Sequence, residues 1–206
     1  MPPAFIYFDL GNVLFAFDRD RAFRQMAAVC DADPEVVRRC VMDEGLQHDL
    51  EHGLIDWAGF HDAFSRRTGT TSAADALALA ASDMFTLRHD MLPVIAALTR
   101  AGVPMGILSN TCGPHWDHLV AGRYAILPGR FAPIVLSHEV RSLKPAAPIY
   151  AEAVRRAGVP AAAIFFCDDR PENVAGAVAA GWDAVLFTTA AGLVDDLARR
   201  GVNLGL

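Results

Sequence analysis

Two kinds of apolar run alternate along this chain, and the alternation is its main architectural signal. Short unbroken runs, from Ala4 to Leu10, Val103 to Leu108, Ile134 to Ser137, Ile164 to Cys167 and Ala184 to Phe187, read as buried strands. Between most of them lie stretches with helical spacing: Met91 to Ala101, Pro148 to Ala157, Glu172 to Ala180 and Leu193 to Arg199. Gly102, Gly158, Gly181 and Gly201 stand where those helices should stop. A strand–helix repeat of this kind predicts an α/β fold, a Rossmann-like parallel five-stranded sheet with helices on both faces.

One interval breaks the rhythm. Phe15 to His89 contains no convincing strand and reads as helices throughout, over Asp20 to Val29, Pro34 to Asp43, Ile55 to Arg67 and Ala73 to Phe85. A connection with its own apolar faces is best explained as a folded insertion. Residues 15–89 are therefore predicted to form a small helical cap over the strand ends of a core built from 1–14 and 90–206.

Composition narrows the class. The chain has 206 residues, 53% of them hydrophobic and 20% charged; at ~150 residues per domain this suits one domain with a modest insertion. Such a chain buries enough surface to fold without disulfides or structural metal, which excludes intrinsic disorder. No apolar run approaches the roughly 18 to 20 residues of a membrane span, and MPPAFIYFDL lacks the basic start and long apolar stretch of a signal peptide. The expectation is a soluble, cytoplasmic protein with no membrane partner. A formal charge of −6, with no block of Lys and Arg, argues against a nucleic-acid partner. Cys30, Cys40, Cys112 and Cys167 are scattered without a CxxC pair and read as buried, reduced thiols.

Ligands of open parallel sheets bind at the carboxyl ends of the strands. The first strand ends in Asp9-Leu10-Gly11-Asn12, the second in Ser109-Asn110-Thr111 and the fourth in Asp168-Asp169, while Lys144-Pro145 follows the third. Any one of these alone is a turn, a cap or a solvated side chain. Together they converge on one sheet edge. Clustered carboxylates stay ionised at close range only with a cation among them, and hard oxygen donors favour Mg²⁺.

In that order, FIYFDLGNVLF, ILSNT, LKPAAPIY and FFCDDRPENV resemble the four motifs of the haloacid dehalogenase-like (HAD) hydrolase superfamily. The resemblance covers essentially the whole chain. It points to the capped subfamily of phosphatases, phosphomutases, dehalogenases and the amino-terminal domain of soluble epoxide hydrolase. The Asp-Leu-Gly-Asn-Val form is most similar to a branch of sugar-phosphate phosphatases that includes α-glucose-1-phosphate phosphatase. The resemblance implies Asp9 as nucleophile, forming an aspartyl-phosphate that water then hydrolyses. It implies Mg²⁺ held by Asp9, the Gly11 carbonyl and Asp169, with Asp168 as ligand or support. Ser109 and Asn110 would bind phosphoryl oxygens of a small phosphorylated metabolite, Lys144 would stabilise the charge of Asp9 and of the transferring group, and Asn173 matches a position near the metal.

Gly11 departs from the pattern. Most phosphatases of the superfamily carry a second Asp there as general acid and base, a loss worth roughly 10² to 10⁴ in rate. Asp18 is a conceivable substitute but reads better as a helix N-cap. His48 and His52 are spaced like zinc ligands, yet Gly53 ends the segment at once and no third ligand is evident; contact with substrate from the cap is the better reading. His115 and His118 read as surface histidines, and Arg38 and Arg39 as either a solvated face or a cap group for an anion.

Three functions fit these residues. The first is a Mg²⁺-dependent phosphatase. The second is a metal-independent 2-haloacid dehalogenase, against which the Asp168-Asp169 pair argues. The third is a non-catalytic protein that binds a phosphorylated ligand. Oligomeric state is not legible.

Overall fold

The computed structural model describes residues 2–121, 124, 126, 127 and 129–206. Its strands are β1 (Phe5–Phe8), β2 (Phe15–Phe17), β3 (Phe85–Leu87), β4 (Met105–Ser109), β5 (Ile134–Leu136), β6 (Ile164–Asp168) and β7 (Asp183–Leu186). Five of them form a parallel sheet in the order β5-β4-β1-β6-β7, with β1 central. The predicted five-stranded α/β architecture is therefore the observed one. From β1 the chain builds outward on one side through β4 and β5, then crosses to β6 and β7, so the strand order reverses beside β1.

Alternation along β1 divides the interior. Ile6 and Phe8 enter a cluster with Val94, Ile95, Leu98, Leu193 and Leu197, which belong to helices on one face. Phe5 and Tyr7 join Ile149, Tyr150, Ala153, Ala177 and Trp182 on the other. Tyr7 keeps its hydroxyl satisfied there by donating to the Ala153 carbonyl at 2.9 Å, and its ring stacks on Trp182 at 5.5 Å.

The insertion carries α1 (Arg19–Cys30), α2 (Pro34–Arg38), α3 (Leu46–Glu51), α4 (Trp57–Thr68) and α5 (Ala74–Ser82). Asp18 caps α1 by accepting from the Arg21 N–H, and Asp56 caps α4 by accepting from that of Gly59. Residues Arg39–Asp43 continue α2 as a wider π-helical turn. These helices share a hydrophobic cluster of their own, with Phe23, Met26, Leu50, Phe60, Phe64 and Leu77 at its centre. The core helices are α6 (Leu92–Arg100), α7 (Gly113–Val120), α8 (Ser137–Val140), α9 (Ala147–Ala157), α10 (Pro171–Ala179) and α11 (Ala190–Arg199).

Two sequence expectations are corrected here. The interval from Phe15 to His89 is not wholly helical, because β2 and β3 pair antiparallel where the chain leaves and re-enters the core. Three-residue strands carry too little alternation to register in sequence. The second is α3, which lies where the sequence suggested only a connection; a helix of six residues is nearly invisible to a 3.6-residue pattern.

Candidate active site

The residues flagged at the strand ends meet. Asp9 directly follows β1, Ser109 and Asp168 are the last residues of β4 and β6, and these three strands are neighbours. Lys144 reaches in from the loop between α8 and α9. Its Nζ donates to Asp9 Oδ1 at 2.7 Å, to Asp168 Oδ2 at 2.6 Å and to the Leu108 carbonyl at 2.9 Å. Lys144, Asp9 and Asp168 are all buried.

Each charged group has a support. Asp168 Oδ1 accepts from the Arg170 backbone N–H at 2.9 Å, and Asn173 Nδ2 lies 3.0 and 3.1 Å from its two oxygens. Asn173 thus fixes Asp168. Asn110 exchanges two hydrogen bonds with the Lys144 backbone: its Oδ1 accepts from the Lys144 N–H at 2.8 Å and its Nδ2 donates to the Lys144 carbonyl at 2.9 Å. One amide hydrogen of Asn110 is therefore committed to holding the lysine loop. Ser109 Oγ makes only a long contact, 3.4 Å, with the Asn110 carbonyl. Asn12, unremarked in the sequence, donates to Asp169 Oδ2 at 2.8 Å from a left-handed backbone with φ 54°, a conformation asparagine tolerates.

Electrostatics here is dominated by desolvation. Burial pushes the Asp9 carboxyl up to about 7, with the Lys144 ammonium pulling against it and the Asp168 charge adding to it. Burial also works against the charge on Lys144, but Asp9 and Asp168 prevail and hold its pKa above the ordinary value. Three carboxyl groups share one ammonium in this cluster, which leaves a surplus of acidic groups.

That surplus is the test of whether these residues suit a metal. Asp9, Asp168 and Asp169 each offer a carboxylate oxygen, all within 4.8 Å of one another, and theirs is the one such group among the described residues. Three hard oxygens with excess negative charge fit Mg²⁺. Asp168 has both oxygens engaged by Lys144, Arg170 and Asn173, so Asp9 and Asp169 are the freer donors.

Above the cluster, between the inserted helices and the sheet edge, lies a cavity of about 90 Å³. Gly11, Ser109, Asn110 and Thr111 line its floor, and Phe17, Phe23, Met26, Trp57 and Phe60 supply apolar walls. Arg19, Gln47, Glu51 and His115 are its polar side chains from outside the strand-end motifs. A Cβ added to Gly11 would lie 2.9 Å from Phe17 Cε1, so the aromatic ring occupies the room that a larger residue would need.

Several expectations for individual residues change. From the α3 segment it is Gln47 and Glu51 that border the cavity, whereas His48 is exposed and pairs with Asp49 at 3.6 Å. His115 and His118 are buried rather than on the surface; the first lines the cavity and the second lies 3.8 Å from Asp83. Burial, with the nearby His118 charge, lowers the His115 pKa to about 4. Arg38 is tied to Glu35 and Asp43 on the outer face of the insertion and Arg39 lies 3.9 Å from Glu44, so the guanidinium at the cavity is that of Arg19. Asp18 is engaged as the α1 cap. The four cysteines are buried and free.

A parallel sheet whose central strand ends in a carboxylate, answered by a lysine and an acidic pair on neighbouring connections, defines a class of hydrolase. The chain belongs to the haloacid dehalogenase-like hydrolases, whose family model matches residues 5–181. No curated protein matches it. Among solved structures, a HAD family enzyme of Bacteroides thetaiotaomicron superposes with a TM-score of 0.80 at 24% identity, over 92% of this chain and 95% of that one. That enzyme has also been crystallised with magnesium and inorganic phosphate. A protein of Porphyromonas gingivalis, described as a predicted HAD-like family hydrolase, gives 0.78 at 26% identity over 95% and 96%. The L-2-haloacid dehalogenase of Xanthobacter autotrophicus, with chloropropionic acid covalently bound, gives 0.65 at 20% identity over 96% and 83%. No helix among the described residues is long and apolar enough to cross a membrane.

Proposed function

We propose that this chain is a Mg²⁺-dependent phosphatase of a small phosphorylated metabolite, with residues 15–89 as its cap. One observation carries the reading: the acidic trio of Asp9, Asp168 and Asp169, with Lys144 bonded to the first two, beneath a cavity floored by Gly11, Ser109 and Asn110. Phosphoryl transfer needs positive charge to neutralise the equatorial oxygens, and carbon–halogen cleavage has no comparable need for paired carboxylates. The magnesium and phosphate complex of the Bacteroides relative supports the same choice.

Asp9 is the nucleophile. Its carboxylate attacks phosphorus, the ester oxygen departs with the bonding pair, and water then hydrolyses the aspartyl-phosphate. Lys144 favours the ionised form of Asp9 against the effect of burial, holds it in place and offers positive charge to the transferring group. Ser109 Oγ and the remaining donors of Asn110 hold phosphoryl oxygens. Asp9, Asp169 and the Gly11 carbonyl would hold Mg²⁺, with Asp168 fixed beside them; when bound, the ion supplies charge neutralisation at the phosphoryl oxygens. The few polar groups on the cavity wall suit a small ester with one or two polar substituents better than a fully hydroxylated sugar.

The dehalogenase alternative has one observation in its favour, Arg19 on the cavity wall, where a substrate carboxylate would find a guanidinium. One experiment decides. A panel of phosphomonoesters and 2-chloropropionate is incubated with the protein, with and without Mg²⁺. Ion-dependent phosphate release is expected, abolished by Asp9→Asn. Metal-independent chloride release would establish the alternative, and silence throughout would leave a binding protein.

A further inference from the structure

Gly11 cannot move a proton, and the Phe17 ring fills the space where a longer side chain would stand. A phosphatase built this way needs its acid and base from elsewhere if it is to cleave esters of poor leaving groups. The titratable side chains on the cavity wall are few. Cys112 is a thiol that burial pushes up to about 12, and burial lowers the His115 imidazole to about 4. Among the described residues, Glu51 is the one carboxyl on that wall.

Glu51 is also held in place with unusual care for a cap residue. Its backbone carbonyl accepts a 2.6 Å hydrogen bond from Ser137 Oγ, a fully buried hydroxyl that in turn accepts from the Thr111 N–H at 3.0 Å. One side chain therefore ties Glu51 to the loop two residues beyond Ser109. Gly53 presses the same turn onto the core: a Cβ there would lie 2.3 Å from the His138 carbonyl oxygen, and φ is +70°. The Glu51 carboxyl itself accepts from Gln47 Nε2 at 2.9 Å. Around it stand Arg19 of α1, His48 of its own helix, Cys112 and His115 after β4, His138 of α8 and Arg170 beyond the acidic pair. Burial raises its pKa above the ordinary carboxyl value, while Gln47, Arg19, His48 and Arg170 draw it back.

We propose that Glu51 is the proton donor and acceptor of this cleft, a carboxyl delivered by the cap in place of the one absent at position 11. The proposal rests on the phosphatase reading. As Asp9 bonds to phosphorus and the P–O bond to the substrate breaks, the leaving oxygen takes the bonding pair and the Glu51 proton, and departs as an alcohol. The Glu51 carboxylate then takes a proton from the water that attacks phosphorus. The Asp9–phosphorus bond breaks, releasing phosphate and restoring both side chains.

The test compares the wild-type protein with Glu51→Gln, in Mg²⁺, on p-nitrophenyl phosphate, whose leaving group needs no proton, and on alkyl phosphates such as glycerol 2-phosphate. For the alkyl esters kcat is expected to fall by roughly 10² to 10⁴. With p-nitrophenyl phosphate the first-turnover burst should persist while steady turnover slows, because only the water step still needs a base. In the wild-type protein, kcat on alkyl esters should fall as pH rises through the Glu51 pKa, and Glu51→Gln should lose that limb. Equal losses on the burst and on alkyl esters, or no loss at all, would overturn the proposal and leave the phosphatase reading intact. A wild-type protein that cleaves no ester would overturn both. Thermal melting establishes that the variant is folded, and Glu51→Gly with added formate gives a second route: recovery of alkyl-ester turnover supports the proposal, and its absence alongside an intact burst in the Gln variant is decided by that burst.

Discussion

Gly11 and Phe17 compete for one space: an added Cβ at position 11 would stand 2.9 Å from Cε1 of the phenyl ring. The contact joins the loop after β1 to the strand that begins the cap. An aspartate at position 11 would have to displace that ring, and the Arg19 guanidinium lies over it, 4.9 Å from its centroid. Gly11→Asp alone should cost ~1–3 kcal/mol through overpacking. Combined with Phe17→Ala it should cost less than the sum of the two single changes, as contacting residues couple. Urea unfolding of the four proteins of the cycle measures this directly, and strict additivity would contradict the contact.

Removal of the ammonium from the acidic cluster should be severe. Lys144→Met leaves Asp9 and Asp168, both buried, without their shared partner at 2.7 and 2.6 Å. A loss of ~3–5 kcal/mol is expected from stranding a buried charge. Mg²⁺ should restore part of it in the variant and stabilise the wild-type protein by less. Melting temperatures with the ion and with a chelator measure both effects; an ion that shifts neither protein would argue against a metal at these carboxylates.

Ser137 is the latch between core and cap. Ser137→Ala removes the 2.6 Å bond to the Glu51 carbonyl and the acceptor for the buried Thr111 N–H. Unsatisfied buried groups cost ~1–3 kcal/mol, so unfolding should shift by that amount. KM should rise more than kcat falls, since the latch positions the cap without touching the reacting atoms. A stability unchanged within error would mean that water replaces the hydroxyl at no cost.

His115 makes the fold sensitive to acid. Its pKa is lowered from 6.5 to about 4 by burial, so between those values the unfolded chain binds a proton that the folded one rejects. Stability from this group is complete above the unfolded value and is lost as pH falls through the folded one. His115→Phe should therefore lose less stability than the wild-type protein on going from pH 7 to pH 4. Denaturant melts at both pH values give the difference; equal losses would show that His115 is free to protonate in the fold.

Much of the molecule was legible along the chain because its information is local. Unbroken apolar runs and helical spacing encode burial on two faces or one, and they located the five sheet strands and four of the core helices to within a few residues, while α7 and α8 went unread. The polar residues that end the strands were equally plain, since a strand buried on both faces has no other reason to finish in Asp9, Ser109 or Asp168. What the chain did not disclose depends on distance in space. The burial of His115 and His118, the turn of Gln47 and Glu51 toward the cavity while His48 faces out, the hold of Asn12 on Asp169 and the exclusion of a side chain at position 11 by Phe17 all arise between elements brought together by packing. Periodicity records which side of an element is apolar; only the packed sheet and cap decide what each side meets.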